Sequence, residues 1–447
     1  MTNSAAVRRL EREAQSRGDP LTLADLAKTY GPIPDDQNAA IPLLELWEAA
    51  EPKFCLAFRN GEDHLPRRAP RSYDPALPFL GSQARHPSRT EPLAEQSQIA
   101  AGTFLDHDAP SRIAVIRALQ RPDCRFPIRM ELGAMTLLPH LAELKAQAQI
   151  FLVESLLASE RGESDAAIDA LENVLRVARL IDREPILISQ LVRVACVAMA
   201  LDGAEHVLSR SALSRTQLNR LQEVFEQARL EGALRRAFVG ERALALNIFR
   251  LSRETLAAAT GSDDPEPDDP DTKVRGYRTG MAAFRLIGLE AVDRRLMMQT
   301  LNEAVALAEK DTPATWRRLE DLLEGACVKA HEFPPKIFSG MLLPALTKAG
   351  DKFAALEARR RSALMAVGIE LYGTEHGGLR ERLEELTPKY LAGVPVDPFD
   401  GMPLRFHRRG RGYVVYSVGP DRTDDGGRER PQKRPPRNYD ATFVVDR

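Results

Sequence analysis

Along most of this chain, apolar residues recur at three- and four-residue spacing, the period of amphipathic helices. The clearest run is LPHLAELKAQAQIFLVESLLASERGESDAAIDALENVLRVARLI, from Leu138 to Ile181. Leu141, Leu144, Ala148, Leu152 and Leu156 mark one apolar stripe. After a turn at Arg161–Gly162, Ser164 is placed to cap a second helix with Ala166, Ala167, Ala170, Leu171, Val174 and Ala178 inward. Further helices are expected over 184–209, 214–231, 232–256 and from about 275 to 327. Near the start, Thr22 opens a helix with Leu23, Leu26 and Ala27 on one face, and IPLLELWEAA carries Trp47 on an amphipathic helix. Asp351 is placed to cap a long helix whose buried face is Phe353, Leu356, Ala363, Leu364, Val367 and Leu371, and Gly377–Gly378 ends it. A short helix follows in LRERLEELTPKYL. The period then changes to two. PLRF and YVVYSV read as strands around the loop HRRGRG, and ATFVV supplies a third strand.

The fold class expected is mainly α: an antiparallel helical bundle or solenoid-like body, closed by a small C-terminal α+β module. The 138–181 pair resembles a tetratricopeptide-type hairpin. No second copy follows at the roughly 34-residue period that repeat requires, so a generic helical hairpin is preferred. Three regions follow: 1–93 with short helices and an irregular Pro/Arg/Gly/Ser-rich loop over 58–95, 94–345 as the helical body, and 346–447 as long helix plus hairpin module. The stretch GSDDPEPDDPDTK (261–273) has six acidic residues and three prolines, and reads as a solvated linker.

Composition narrows the function classes. With 62 basic and 64 acidic residues the formal charge is −2, which gives no electrostatic case for nucleic-acid binding. Cys55, Cys124, Cys196 and Cys327 are scattered without a CxxC, against a structural zinc site. Cys196 and Cys327 sit in apolar helical surroundings and read as small buried hydrophobes. The N-terminal stretch MTNSAAVRRLEREAQSRGD lacks the apolar core of a signal peptide. ILISQLVRVACVAMAL (186–201) is the most apolar run, but it is short for a membrane span and is interrupted by Gln190 and Arg193. A soluble chain with protein partners is therefore expected.

No GxSxG, HExxH, GxxxxGK[ST] or GxGxxG occurs. Two acid–histidine clusters remain: Asp106, His107 and Asp108 in LDHDAP, and His331 with Glu332 in KAHEF. Either could supply acid/base or metal-ligand chemistry only with partners from elsewhere. An enzyme built on Asp106, His107 and Asp108, or a helical adaptor that binds peptides in a groove, are the alternatives to a non-enzymatic interaction protein.

The C-terminal residues carry a more specific pattern. A long helix ends in Tyr372 and Gly377. Val394, Pro395, Asp397, Pro398, Gly401 and Pro403 form a Val-Pro-x-Asp-Pro-x-x-Gly-x-Pro turn. Tyr416, Ser417 and Gly419 end a strand, an Asp/Gly loop holds Asp421, Asp424, Asp425, Gly426 and Gly427, and Asp440 opens the last strand. In this order the segment 350–445 resembles the globular domain of the major pseudopilin of type II secretion systems. The whole chain, through PDDQNAA and VPVDPFDG…YSVGPDRTDDGG, resembles envelope proteins of planctomycete- and verrucomicrobia-type bacteria. The resemblance implies a cell-envelope or periplasmic setting, a secretion-related scaffold role, and a calcium ion in the Asp/Gly loop.

Calcium takes six to eight oxygens from side chains, carbonyls and water. In DRTDDG, Asp421, Thr423 and Asp425 stand at alternate positions with Gly426 after them, and the implied ligand set is Asp421, Thr423, Asp424, Asp425 and Asp440. The usual closing glutamate is replaced by Gln432. Arg422 stands where that family often has glycine, and a basic insertion, RERPQKRPPR (428–437), separates the loop from Asp440. The pseudopilin's N-terminal apolar helix and cleavage signal are missing from the sequence.

Overall fold

The computed structural model describes residues 2–50, 77, 80, 87–249, 288–310, 312–334, 336–377, 383–430 and 439–447. Most of the expected 58–95 loop, the 261–273 linker, Cys55 and the centre of the basic insertion fall outside them.

The chain is mainly helical, with a small three-stranded antiparallel sheet near the C-terminus. The helices are α1 (Asn3–Ser16), α2 (Leu23–Thr29), α3 (Ala40–Ala50), α4 (Glu95–Ala118), α5 (His140–Glu160), α6 (Ser164–Arg179), α7 (Leu187–Arg210), α8 (Arg215–Gln227), α9 (Ala233–Ile248), α10 (Leu289–Leu307), α11 (Pro313–His331) and α12 (Ile337–His376). The strands are β1 (Arg405–Arg409), β2 (Gly412–Ser417) and β3 (Ala441–Val445), in the order β1-β2-β3.

Local chemistry accounts for several boundaries. Thr22 caps α2 by accepting from the Asp25 N–H, and Ser214 with Gln217 closes a reciprocal capping box on α8. Gly377 ends α12 in the left-handed region at φ 74, as a helix-terminating glycine does. Two expected caps are displaced. Ser164 is the first residue of α6, whose capping position is Glu163 without a side-chain bond. Asp351 lies inside α12, which starts at Ile337 and runs 40 residues through Pro344. The boundary drawn at 346 therefore falls within one continuous helix.

α5, α6 and α7 pack on one another, and the stripe expected on α5 is buried. On α6, Ala166 faces solvent while the other stripe positions are inward. α7 spans 24 residues, close to the expected 184–209, and by length and composition it alone among the described residues could cross a membrane. It is mostly buried in the interior. Gln190 is fully buried there; its Nε2 donates among the carbonyls of Ile181, Asp182 and Glu184, while its Oε1 has no hydrogen-bond partner.

α12 joins the parts. It packs on α8, α10 and α11, on α7, and on β2 and β3. Phe225 of α8 meets Phe443 of β3 edge to face, with centroids 6.4 Å apart. Tyr413, Val415, Phe443 and Val445 therefore belong to the same apolar core as α5–α8. The hairpin is tighter than expected. Arg409 pairs with Gly412, so the residues HRR belong to β1, and only Gly410 and Arg411 form the loop, with Gly410 at φ 60.

Candidate functional site

The conspicuous residues of the C-terminal module form one interlocked network. Asp397 is fully buried. It accepts from the Phe399 N–H at 2.8 Å, the Ser417 hydroxyl at 2.8 Å, the Val418 N–H at 2.9 Å and Arg405 Nη1 at 3.2 Å. The 394–403 turn is thereby pinned to the end of β2. Arg405 also reaches Asp400 and Asp424, tying turn, strand and loop together.

The Asp/Gly loop folds back over the outer face of the sheet, where Val414, Tyr416 and Val444 form a small apolar patch. Gly427 makes this possible. Its φ is +76, and a Cβ there would stand 2.9 Å from Val414 Cγ1 and 3.0 Å from His407 Cε1. Asp440, 1% exposed, anchors the loop. Its Oδ2 accepts from the N–H groups of Gly427 at 2.7 Å and Arg428 at 3.2 Å, and its Oδ1 from Asp425 at 3.4 Å. Burial pushes the Asp440 carboxyl above its usual range, against the pull of those three N–H groups.

The five expected ligands divide. Asp424 Oδ1 accepts from the Gly426 N–H and the Tyr416 hydroxyl, and its Oδ2 accepts from Arg405. Burial alone would raise Asp424, but these partners outweigh it and hold the carboxyl low. Burial and the Asp424 charge push the Tyr416 phenol up to about 12. Asp421 accepts from the Thr423 N–H at 3.1 Å and is exposed. Asp425 differs from the rest: its Oδ2 is buried without a hydrogen-bond partner. Among the described residues, no group of three or more His, Cys, Asp or Glu side chains is arranged to hold a metal. Arg422 adopts φ 58, the one positive φ outside glycine among the described residues. Its side chain leaves the loop and pairs with Glu320 of α11.

The sheet's two edges are treated differently. Along β3, the Val444 N–H donates to Glu205 of α7 at 3.1 Å, Arg359 of α12 donates to the Thr442 carbonyl at 3.1 Å, and the Asp446 N–H just beyond donates to Ser209 at 3.0 Å. Glu205 also pairs with Arg89 and Arg359, and Arg359 with Asp202. Arg89 extends the network to Glu429 and Asp446. Burial pushes Glu205 up to about 7, and the two guanidiniums only partly offset it. Their own pKa values rise in turn beside its charge, against burial. Among the described residues β1 pairs only with β2, and Arg408 and Arg409 on it are exposed.

The acid–histidine clusters come apart. Asp106, His107 and Asp108 are consecutive residues inside α4, so they point about 100° apart around the helix. Asp106 and His107 are exposed, and Asp108 faces Arg112 at 4.0 Å. His331 bonds back to the Cys327 carbonyl at the end of α11, and Glu332 is an exposed turn residue.

One cluster was not visible in the chain order. Tyr30, Cys124, His140 and Glu184 come from four segments into one buried neighbourhood. His140 Nε2 lies 2.8 Å from Glu184 Oε1, Phe126 stacks on His140, and the Tyr30 hydroxyl accepts from the Phe126 N–H. Burial and the Glu184 charge hold the Cys124 thiol well above its usual range. The thiolate is the nucleophile, so burial disfavours the reactive form, and Tyr30, Cys124 and Phe126 belong to the main apolar core. Cys196 is likewise buried and pushed up to about 12, while Cys327 is only partly buried.

No family model matches the chain, and no curated protein or solved structure matches it either.

Proposed function

We propose that this is a non-enzymatic interaction protein in which the helical body holds a pseudopilin-like module rigid and presents its open β1 edge to a protein partner at the cell envelope. The observation that carries the proposal is the asymmetry of the sheet. The body's side chains close the β3 edge, whereas among the described residues β1 has a strand neighbour on one side only. An open edge offers main-chain N–H and C=O groups to an added strand. In a two-residue hairpin the closing pair is hydrogen-bonded, so with Arg409 paired inward, Phe406 has its backbone groups outward. The envelope setting rests on the pseudopilin resemblance of the 394–403 turn and the Asp/Gly loop.

Calcium enters the proposal through Asp425. Its buried, unpartnered Oδ2 suits a cation, and Asp421, Thr423 and Asp440 are the other side chains that would hold one. Asp424 is left out of the proposed set because its oxygens already accept from Arg405 and Tyr416. Bound calcium would supply a fixed positive charge that stiffens the loop, with carbonyls and water completing its shell. Millimolar calcium should raise the melting temperature, and Asp425→Asn should remove that rise.

The interaction itself is tested by a photo-crosslinking residue at position 407, read in cells of the source organism. Adducts to a protein partner are expected, and Phe406→Pro should abolish them because proline removes an outward N–H. A folded protein that gives no adduct at 407, or adducts indifferent to Phe406→Pro, would overturn the β1-edge proposal.

A further inference from the structure

We infer that a cleft between the α8–α9 turn, the α10–α11 turn and α12 is a binding site for an aromatic group bearing a carboxylate. The cleft holds about 190 Å³ and is lined on its apolar side by Leu234, Trp316, Leu319 and Phe353. An engineered apolar cavity of about 150 Å³ already accepts a benzene ring. The volume therefore suits one aromatic ring, and the leucines and aromatics supply the apolar contacts such a ring takes.

The rim decides the charge. Glu309 is paired with Arg235, and Glu357 with Arg360 and Arg361. Arg229 and Lys310, on opposing turns, form no salt bridge among the described residues, and against them stands Glu231 alone. Among the described residues, the uncompensated charge at the mouth is thus net positive. A carboxylate next to the ring would meet guanidinium and ammonium donors as the ring enters. Two sources carry this chemistry: a free aryl-alkyl acid, and the free C-terminus of a peptide ending in phenylalanine.

The test is titration calorimetry on the full chain with 3-phenylpropionate, 3-phenylpropanamide, and a tripeptide ending in Phe as free acid and as amide. At least one of the acids should bind, and its amide should bind about tenfold more weakly. The arm that binds identifies the source. Ala308→Phe, which fills the cleft, should abolish binding with the helical circular dichroism unchanged. Should that variant fail to fold, the surface double variant Arg229→Ala/Lys310→Ala serves, and it should weaken the acid about tenfold, to the level of the amide. No heat from either acid at millimolar concentration would overturn the inference. So would an amide binding as well as its acid, or binding that survives the filled cleft in a folded protein.

Discussion

At the scale of single residues, Asp440 and Arg422 decide how the Asp/Gly loop is held. Asp440 takes three backbone N–H groups in a site that is almost fully buried. Removing its carboxylate leaves those donors without a partner, and each unsatisfied buried group costs about 1–3 kcal/mol. Asp440→Ala is expected to lower unfolding stability by about 3 kcal/mol in urea titrations. A loss near zero would mean the loop is held by something else. Arg422 holds a conformation that favours glycine, at a cost of about 1–2 kcal/mol for other residues. Its pair with Glu320 is about a quarter exposed on each side and contributes at most about 1 kcal/mol. Arg422→Gly should accordingly be more stable than Arg422→Ala by about 1 kcal/mol, because both lose the pair and only glycine loses the strain. Equal stability of the two would remove the strain argument.

At the scale of elements, helix ends and sheet edges are satisfied from distant parts of the chain. Glu241 of α9 accepts the Leu187 N–H at the first residue of α7, at 3.1 Å. Burial pushes its carboxyl up to about 7, above the ordinary value near 4.5, and that N–H only partly opposes the shift. The folded state then holds a proton that the unfolded state releases. Stability should fall as pH rises from about 4.5 to about 7, by up to about 3 kcal/mol, and level off above that. Glu241→Gln should flatten this slope in denaturation curves at pH 5 and pH 7.5; an unchanged slope would assign it to other groups.

Much at this scale was legible in the chain. The α5 stripe, the Gly377 stop and the β3 limits all follow from local period and turn chemistry. The displaced starts have local causes too. Asp351 carries capping chemistry, but the apolar positions Phe338, Leu343 and Leu346 before it also pack inward and carry the helix past it. HRR reads as a loop because it is charged, yet an edge strand tolerates charge on its open side.

At the scale of the molecule, what local pattern could not reveal is that the C-terminal sheet is built into the body. Val444 and Glu205 are 239 positions apart, and no period links them. Nor could it show Tyr30, Cys124, His140 and Glu184 meeting in the core. It did mark the pinned turn and the Asp/Gly loop, because their glycines, prolines and aspartates are demanded by local backbone geometry. Glu205 carries the junction. It is 6% exposed and faces two guanidiniums and a strand N–H. Glu205→Ala would leave Arg89 with Glu429 and Asp446, Arg359 with Asp202, and the buried Val444 N–H without an acceptor, and is expected to cost about 1–3 kcal/mol in urea unfolding.

The claim that body and module form one unit is tested most directly by native-state hydrogen exchange at residues 441–445 and along α7. The account predicts that β3 amides are protected to the same opening free energy as the centre of α7, and that Glu205→Ala lowers both together. β3 amides that exchange far faster than α7, with α7 unaffected by Glu205→Ala, would contradict it.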